Sequence, residues 1–185
     1  MSFLWKTATR GMMIDLLRKR RSIRKFTSEK IPAESIKALA EAALRSPSSK
    51  GSKPWEFIMV DDPDLLDQLS EMKSSGSAFL KNAPLGIVVC ADSTRSDVWI
   101  EDCSIAAIII QLEAESLGLG SCWIQVRNRF YNDGITSEAR IQELLGIAAH
   151  IKVLSIIAIG YPAESKPSVP SENLLNERIK YNRWA

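Results

Sequence analysis

Several residue types that mark common classes of catalytic site are scarce in this 185-residue chain. It has one histidine, His150, which follows a predicted helix and is expected at the surface. Its three cysteines, Cys90, Cys103 and Cys122, lie far apart in apolar stretches and form no CxxC pair. The sequence therefore predicts neither a zinc site nor a thioredoxin-like motif. An odd number of such thiols favours a reducing compartment over a disulfide framework. No Ser-His-Asp or Cys-His arrangement is apparent, so no side-chain nucleophile is expected.

Long uncharged apolar runs are also missing. The most apolar segment, residues 100–119, carries Glu101, Asp102, Glu113 and Glu115, which argues against a membrane span. The first residues lack the apolar run and the small-residue cleavage site of a signal peptide. Neither an internal repeat nor a low-complexity tract interrupts the first 160 residues. We therefore expect a cytoplasmic protein.

The composition is that of an ordinary globular domain, with 45% hydrophobic and 25% charged residues. A chain of this length buries one sizeable core rather than two. The formal net charge of +2 is unevenly distributed. Residues 1–53 hold thirteen Lys and Arg against four Asp and Glu, and the remainder holds eleven against eighteen. The basic first part indicates an anionic ligand, either a phosphate group or a nucleic acid.

Hydrophobic periodicity predicts alternating helices and strands. Pro32 suits the first position of a helix, because its missing N–H would have no partner there. Two continuous apolar runs of strand length, 85–91 and 153–159, predict strands buried on both faces. Helices are predicted at 12–20, from Pro32 to the turn at Pro47, at 62–72, at 99–117 and at 136–145, and shorter strands at 56–60 and 121–126.

The helix predicted at 99–117 is apolar almost all round, which is typical of a helix buried in a core or an interface. A protein this small cannot cover every face of one helix, so we predict that this helix packs against its twin in a dimer. The tail after Pro162 has little core-forming periodicity but ends in Tyr181 and Trp184. Because such groups are costly to leave in water, an arm that wraps another subunit is predicted.

Three stretches stand out by their chemistry. The first, RKRRSIRKF at 18–26, is a cluster of cations with a hydroxyl, and Arg is suited to bidentate contacts with phosphate. The second, SPSSKGSKPW at 46–55, is a hydroxyl-rich turn that ends in an aromatic residue. The third, GLGSCWIQ at 118–125, is a glycine-containing turn that brings strand backbone close to a flat ligand. IGYP follows it at 159–162.

Taken together and in this order, these stretches resemble the nitroreductase family of FMN enzymes, and the resemblance covers residues 16–184. It implies an α+β fold, a three-layer α/β/α sandwich around a mixed central sheet. It also implies a homodimer with FMN at the interface and a C-terminal arm exchanged between subunits. The expected boundaries are a FMN-binding domain at 1–162 and an arm at 163–185.

The resemblance carries over to individual positions. Arg20, Arg21 and Ser22 match the segment that holds the FMN phosphate and ribityl chain, and Arg24 matches a basic residue at the pyrimidine edge of the flavin. Lys166 is the expected tail residue that closes on the phosphate. The remaining matches are a loop that reaches the FMN of the opposite subunit, Pro47, Ser48 and Ser49, and a backbone position near flavin N5, Gln125 and Val126.

The implied activity is that of a flavoprotein oxidoreductase with a ping-pong mechanism. NADH or NADPH (the reduced forms of NAD and NADP) delivers hydride to flavin N5, and a nitroaromatic, quinone or similar acceptor then takes the electrons. The cofactor carries this chemistry, and a cation such as Arg24 beside the reduced flavin would raise its reduction potential. Members of the family often have Asn and Gln where this chain has Gly51 and Lys53. The chain also has no room for the lid insertions of deiodinase-like and flavin-cleaving relatives.

Two other functions compete with this interpretation. A flavin-binding relative without turnover, a sensor or carrier, is motivated by the departures at Gly51 and Lys53. A nucleic-acid-binding module is motivated by the basic first part, although the basic run is short and lacks interleaved aromatic residues. Neither a metal ion nor a membrane partner is expected.

Overall fold

A computed structural model describes residues 12–184 of the chain. These residues form five α-helices and six β-strands. The helices are α1 (Met12–Lys19), α2 (Ala33–Leu44), α3 (Pro63–Ser70), α4 (Trp99–Ser116) and α5 (Ser137–Leu145). The strands are β1 (Trp55–Val60), β2 (Leu85–Asp92), β3 (Gly120–Gln125), β4 (Phe130–Asn132), β5 (Ile135–Thr136) and β6 (Ile151–Gly160).

Four strands form the central sheet in the order β1-β2-β6-β3, and β4 and β5 form a separate hairpin. All three ladders of the central sheet are antiparallel. Among the described residues, parallel pairing is limited to a single bridge between Ser22 and Ser121. The predicted mixture of parallel and antiparallel pairing in the sheet therefore depends on that one pair. The two central strands, β2 and β6, are buried along most of their length, as their continuous apolar runs predict.

Helices cover both faces of the sheet and divide the core into two clusters. One face of β2, which includes Ile87 and Val89, packs against α2 and α4. The other face, which includes Val88, packs against α3 and α5 through Leu69 and Ile141. The predicted α+β fold with three layers is therefore confirmed.

Local sequence signals explain where three of the helices begin. Asp62 caps α3 by accepting hydrogen bonds from Asp64 N and Leu65 N at 2.9 and 3.0 Å, and a proline occupies the first helical position. Thr136 caps α5 through a 3.1 Å bond from Ala139 N. Pro32 lies just before α2 rather than inside it, one residue from the predicted start.

Two helices keep apolar side chains that the described residues leave exposed. In α1, Met13 and Leu17 are 58% and 48% exposed, whereas Leu16 on the same helix is partly buried. In α4 one side is buried, whereas Ile105 and Ile108 on the other side are 39% and 37% exposed. Part of the α4 surface therefore stays exposed among residues 12–184, and the packing of α4 against its twin stays a prediction.

The tail after β6 extends over the surface with only short helical turns, Ser171–Asn173 and Asn176–Arg178. Large apolar side chains remain exposed along it, up to 90% for Trp184. Within residues 12–184, no helix combines the length and the apolar character needed to cross a membrane.

Candidate functional site: a cationic groove at one end of the sheet

The basic segment after α1 lies across the end of the central sheet. Ile23 N donates to Ser121 O in β3 at 3.0 Å, and Thr27 N donates to Tyr161 O just beyond β6 at 2.9 Å. Ile23 and Phe26 point into the core, 7% and 9% exposed. Since residues 23 and 26 are buried, the intervening and flanking side chains of the segment are held at the surface in a fixed order.

The beginning of the tail is bound to the same segment. Lys166 Nζ donates to Ser22 O, and Arg21 Nη1 donates to Pro167 O. Glu164 accepts from Arg24 N at 2.6 Å and forms an ion pair with Lys166 at 3.2 Å. The fold therefore brings together Lys166 and Ser22, which are 144 residues apart in sequence, and Glu164 and Arg24, which are 140 residues apart.

A groove of about 690 Å³ opens between α1, this segment and the tail. Its size falls within the range of small-molecule and cofactor sites. Five of the predicted cofactor residues line it, namely Arg20, Arg21, Ser22, Arg24 and Lys166, together with Arg18 and the apolar side chains of Ile14, Leu17, Val169 and Leu174. None of these lining residues is acidic, so the groove favours an anion.

The electrostatics of the neighbouring groups reflect this concentration of positive charge. The hydrogen bond from Arg24 N is the main cause that lowers the pKa of Glu164, with Lys166 adding to it. Burial raises the pKa of the Cys122 thiol, while the charges of Arg24, Lys166 and Arg20 oppose the rise. A buried thiol with a raised pKa is a poor nucleophile, so Cys122 is a packing residue of β3.

A second cavity of about 700 Å³ lies on the other side of Arg24. Phe26, Ile31 and Leu66 form much of its apolar wall, and Asp61 contributes a carboxylate. Arg24 lines both cavities, but the second contains neither Ser22 nor Lys166 nor any residue of β3.

The three predicted loop residues Pro47, Ser48 and Ser49 lie elsewhere in the chain. Ser49 N donates to the side chain of Asp102, in the first turn of α4, at 2.8 Å. Ser121, beside the groove, comes after the last turn of the same helix. Because α4 has 18 residues and rises about 1.5 Å per residue, roughly 27 Å separate its two ends. The structure therefore does not bring the loop and the groove of one chain together.

Gln125 and Val126 stand at the far end of β3 from Ser121. The side chain of Gln125 accepts from Trp123 Nε1 at 2.9 Å and is half-buried. Val126 is fully buried, and its N–H donates to Leu154 O at 3.2 Å. Of the two, Gln125 is the more accessible.

Lys73 contacts one of the predicted site residues, and the sequence interpretation missed it. Its Nζ donates to Gln125 O at 3.0 Å. Burial, followed by the charge of Arg129, lowers the pKa of this ammonium group. Lys73 lies in the loop after α3, and no motif connects it with β3. Only the tertiary contact identifies it.

The layered fold and the cationic groove define an α+β protein built to hold an anionic ligand. The model of the Nitroreductase family matches residues 17–77 and 70–161. A relative in Archaeoglobus fulgidus, provisionally named NADH dehydrogenase/NAD(P)H nitroreductase, is 38% identical over 173 residues, which cover 89% of this chain and 94% of that protein. This chain belongs to the Nitroreductase family.

Solved structures agree with this assignment. An FMN-dependent nitroreductase from Clostridium difficile R20291 superposes with a TM-score of 0.92 at 48% identity, covering 93% of this chain and all (100%) of that one. An NADPH:FMN oxidoreductase from Vibrio harveyi, in complex with NAD+, superposes with a TM-score of 0.79 at 26% identity. That match covers 94% of this chain and 78% of the Vibrio chain.

Proposed function

We propose that two copies of this chain bind FMN at their interface and pass electrons from NAD(P)H to a small oxidised acceptor. As a member of the Nitroreductase family the protein is an oxidoreductase, and its cofactor is FMN with NADH or NADPH as co-substrate. The observation that carries the proposal is the meeting of Arg20, Arg21, Ser22, Arg24 and Lys166 in one groove. FMN held by these residues would supply the redox chemistry, hydride transfer from NAD(P)H and then reduction of the acceptor in a ping-pong sequence.

The groove fits the phosphate end of FMN. Guanidinium groups of Arg20 and Arg21 offer paired donors to phosphate oxygens, and the Ser22 hydroxyl offers one more. Lys166 adds an ammonium group from the tail, and Glu164 holds it in place at 3.2 Å. Because Lys166 lies on the tail and the arginines lie on the segment after α1, the two sets of cations would close on the ligand from opposite sides.

The ring of the flavin would then extend along β3 toward Gln125. From Ser121 to Gln125 the strand spans roughly 13 Å. Arg24 at the pyrimidine edge and Lys73 beside the Gln125 carbonyl would both stabilise negative charge on the ring. Gln125 and Val126 are proposed to form the backbone surface near N5, with half-buried Gln125 the more accessible. No side chain is required as a nucleophile.

A homodimer follows from the separation of the loop and the groove. Pro47, Ser48 and Ser49 would complete the FMN site of the partner subunit, because they cannot reach the groove of their own chain. The exposed apolar faces of α1 and α4 supply a surface for such an interface. We propose that residues 1–162 form the FMN-binding domain and that residues 163–185 form an arm, whose exposed Leu174 and Trp184 pack on the partner.

The proposal extends to the electron acceptor and to the location of the protein in the cell. Similar proteins carry different names, including FMN reductase (NADPH) in Bacillus subtilis and iodotyrosine deiodinase in Thermotoga neapolitana. We propose a nitroaromatic or quinone acceptor. We also propose a cytoplasmic location, because the three cysteines remain free thiols, which reducing compartments maintain.

Spectroscopy of the purified protein tests the proposal. We expect a yellow protein whose denaturation releases FMN, and a particle of about 41 kDa, twice the 20.6 kDa of the chain. Anaerobic mixing with NADH or NADPH should bleach the flavin absorbance, and a nitroaromatic or a quinone should restore it. A colourless protein that ignores added FMN contradicts the proposal. Bound flavin that neither nucleotide reduces would instead favour a sensor or carrier.

A further inference from the structure

We infer that Asp102 is the positioning residue for the loop that contains Pro47, Ser48 and Ser49, the loop proposed to complete the FMN site of the partner subunit. The inference rests on the proposed function. Asp102 is 3% exposed in the first turn of α4. Its Oδ1 accepts from Ser49 N at 2.8 Å, and its Oδ2 accepts from Ser96 Oγ at 3.1 Å. Both carboxylate oxygens are thus committed to two different loops.

An acidic residue in the first helical turn often serves only the helix dipole. That role needs no burial, and Glu101 next to it is exposed in the same turn. Burying a carboxylate is costly unless hydrogen bonds replace its water. The burial of Asp102 and its contact with Ser49 N, 53 residues earlier in sequence, therefore indicate that its carboxylate holds the loop.

The loop needs an external constraint because its own backbone is strained. Lys50 and Lys53 adopt positive φ angles of 54° and 47°, which non-glycine residues rarely do. Gly51 adopts a φ of 67° at no such cost. Such conformations persist where the surroundings determine them. Within the loop itself, Lys53 N donates to Ser48 Oγ at 2.8 Å.

The constraint comes from the end of β2, the segment that follows it and the first turn of α4. Arg95 Nη2 donates to Ser52 O at 3.0 Å, and Asp92 N donates to Pro54 O at 2.9 Å. Together with Asp102, these contacts hold the loop at three points. Asp102 is the point nearest to Ser48 and Ser49, so it fixes the part of the loop that would meet the cofactor.

Two substitutions at the same position test the inference. Asp102→Ala removes both contacts, whereas Asp102→Asn keeps an acceptor for Ser49 N and can donate to Ser96 Oγ. We expect FMN to bind about tenfold more weakly to Asp102→Ala, with affinity largely restored in Asp102→Asn. Asp97→Asn, which removes an exposed charge from the same segment, is the matched control and should bind as the wild type. Equal FMN affinity in wild type and Asp102→Ala, or no rescue by Asn, overturns the inference.

Limited proteolysis tests the loop without the cofactor. Lys50 is exposed and is followed by glycine, so trypsin cleaves there once the loop is released. Flavin-free Asp102→Ala should be cut after Lys50 several-fold faster than wild type or Asp97→Asn, at a temperature where all three remain folded. Equal cleavage rates overturn the inference. If wild type never binds FMN, the proposed function fails while this measurement still decides what Asp102 does.

A mixed dimer separates positioning from a general folding defect. When Asp102→Ala and Arg20→Ala subunits are combined, one interface site receives an intact groove and an intact loop. The other site receives both defects. We expect one FMN per mixed dimer at wild-type affinity, although each homodimer binds weakly. A mixed dimer with no tight site overturns the inference, because the loop then does not act on the partner's groove.

Discussion

Substituting Gly120 by alanine tests how tightly the cationic segment is packed on the sheet. A Cβ built on Gly120 would lie 2.9 Å from Cβ, Cγ1 and Cγ2 of Ile23. Real Cβ contacts are essentially never that short, so Ile23 would have to move. It has little room, because its side chain is 7% exposed in the core and its N–H donates to Ser121 O at 3.0 Å.

The expected cost is that of overpacking a well-packed core, about 1–3 kcal/mol. A second effect should follow at the groove. Ser22 and Arg24 flank Ile23, so displacing Ile23 displaces both. We therefore expect Gly120→Ala to lose FMN affinity in addition to folding stability, without any change to a group that contacts the ligand.

Urea unfolding at one fixed protein concentration measures the first effect, since the stability of the proposed dimer would depend on concentration. Fluorescence titration with FMN measures the second. Gly118→Ala is the control: its Cβ would meet nothing within 4 Å, but its φ of +74° is unfavourable for alanine. It should lose about 1 kcal/mol through the backbone and keep its FMN affinity. Wild-type stability in Gly120→Ala, or unchanged FMN affinity in it, would refute the reasoning.

Three further predictions concern charge and protonation. Lys166→Met should weaken FMN binding about tenfold and leave riboflavin binding unchanged, because the ammonium is proposed to contact the phosphate end; equal losses for both ligands would contradict that placement. The lowered pKa of Glu164 means that its contribution to stability is present above pH 4.5, its ordinary value, and is lost as the pH falls through the folded-state pKa. The difference in unfolding free energy between wild type and Glu164→Gln should therefore shrink at acid pH, and a constant difference would count against this role. Burial raises the pKa of Cys90 and Cys103 from 9.0 to about 12. Above pH 9 these thiols therefore lose their protons more readily in the unfolded state than in the folded state. The free energy of unfolding should fall there by at most about 1.4 kcal/mol per pH unit for each thiol. Cys103→Ala should flatten that decline in alkaline urea titrations, and an unaltered slope would exclude the thiol as its source.

The major elements of the fold were predictable because their signals are local. The apolar runs of β2 and β6 are longer than those of a strand with one face in water, so they predict buried strands. The Asp62-Pro63 pair marks the start of α3. Predicted and observed boundaries differ by one or two residues, as at Pro32. The β4–β5 hairpin was missed, although Asp133-Gly134 between short strands is a recognisable turn signal.

The site was only partly predictable from the sequence. Arg20, Ser22 and Arg24 are neighbours in the chain, so their clustering is a local property. Lys73 and Asp102 could not be found in this way, because each contacts a residue about 50 positions away, 52 and 53 respectively. The residues next to Lys73 and Asp102 in the sequence give no signal that indicates their partners, Gln125 and Ser49.

The sequence by itself determined the alternation of helices and strands, the basic segment after α1 and the membership of the family, because each depends on residues that are close in the chain or on the order of short motifs. The tertiary structure decided which distant groups meet. It placed Lys166 on Ser22 and left the Ser49 loop about a helix length from that groove, since contacts across a fold depend on how layers pack. The same packing left Ile105 and Ile108 on the outer face of α4 exposed among the described residues.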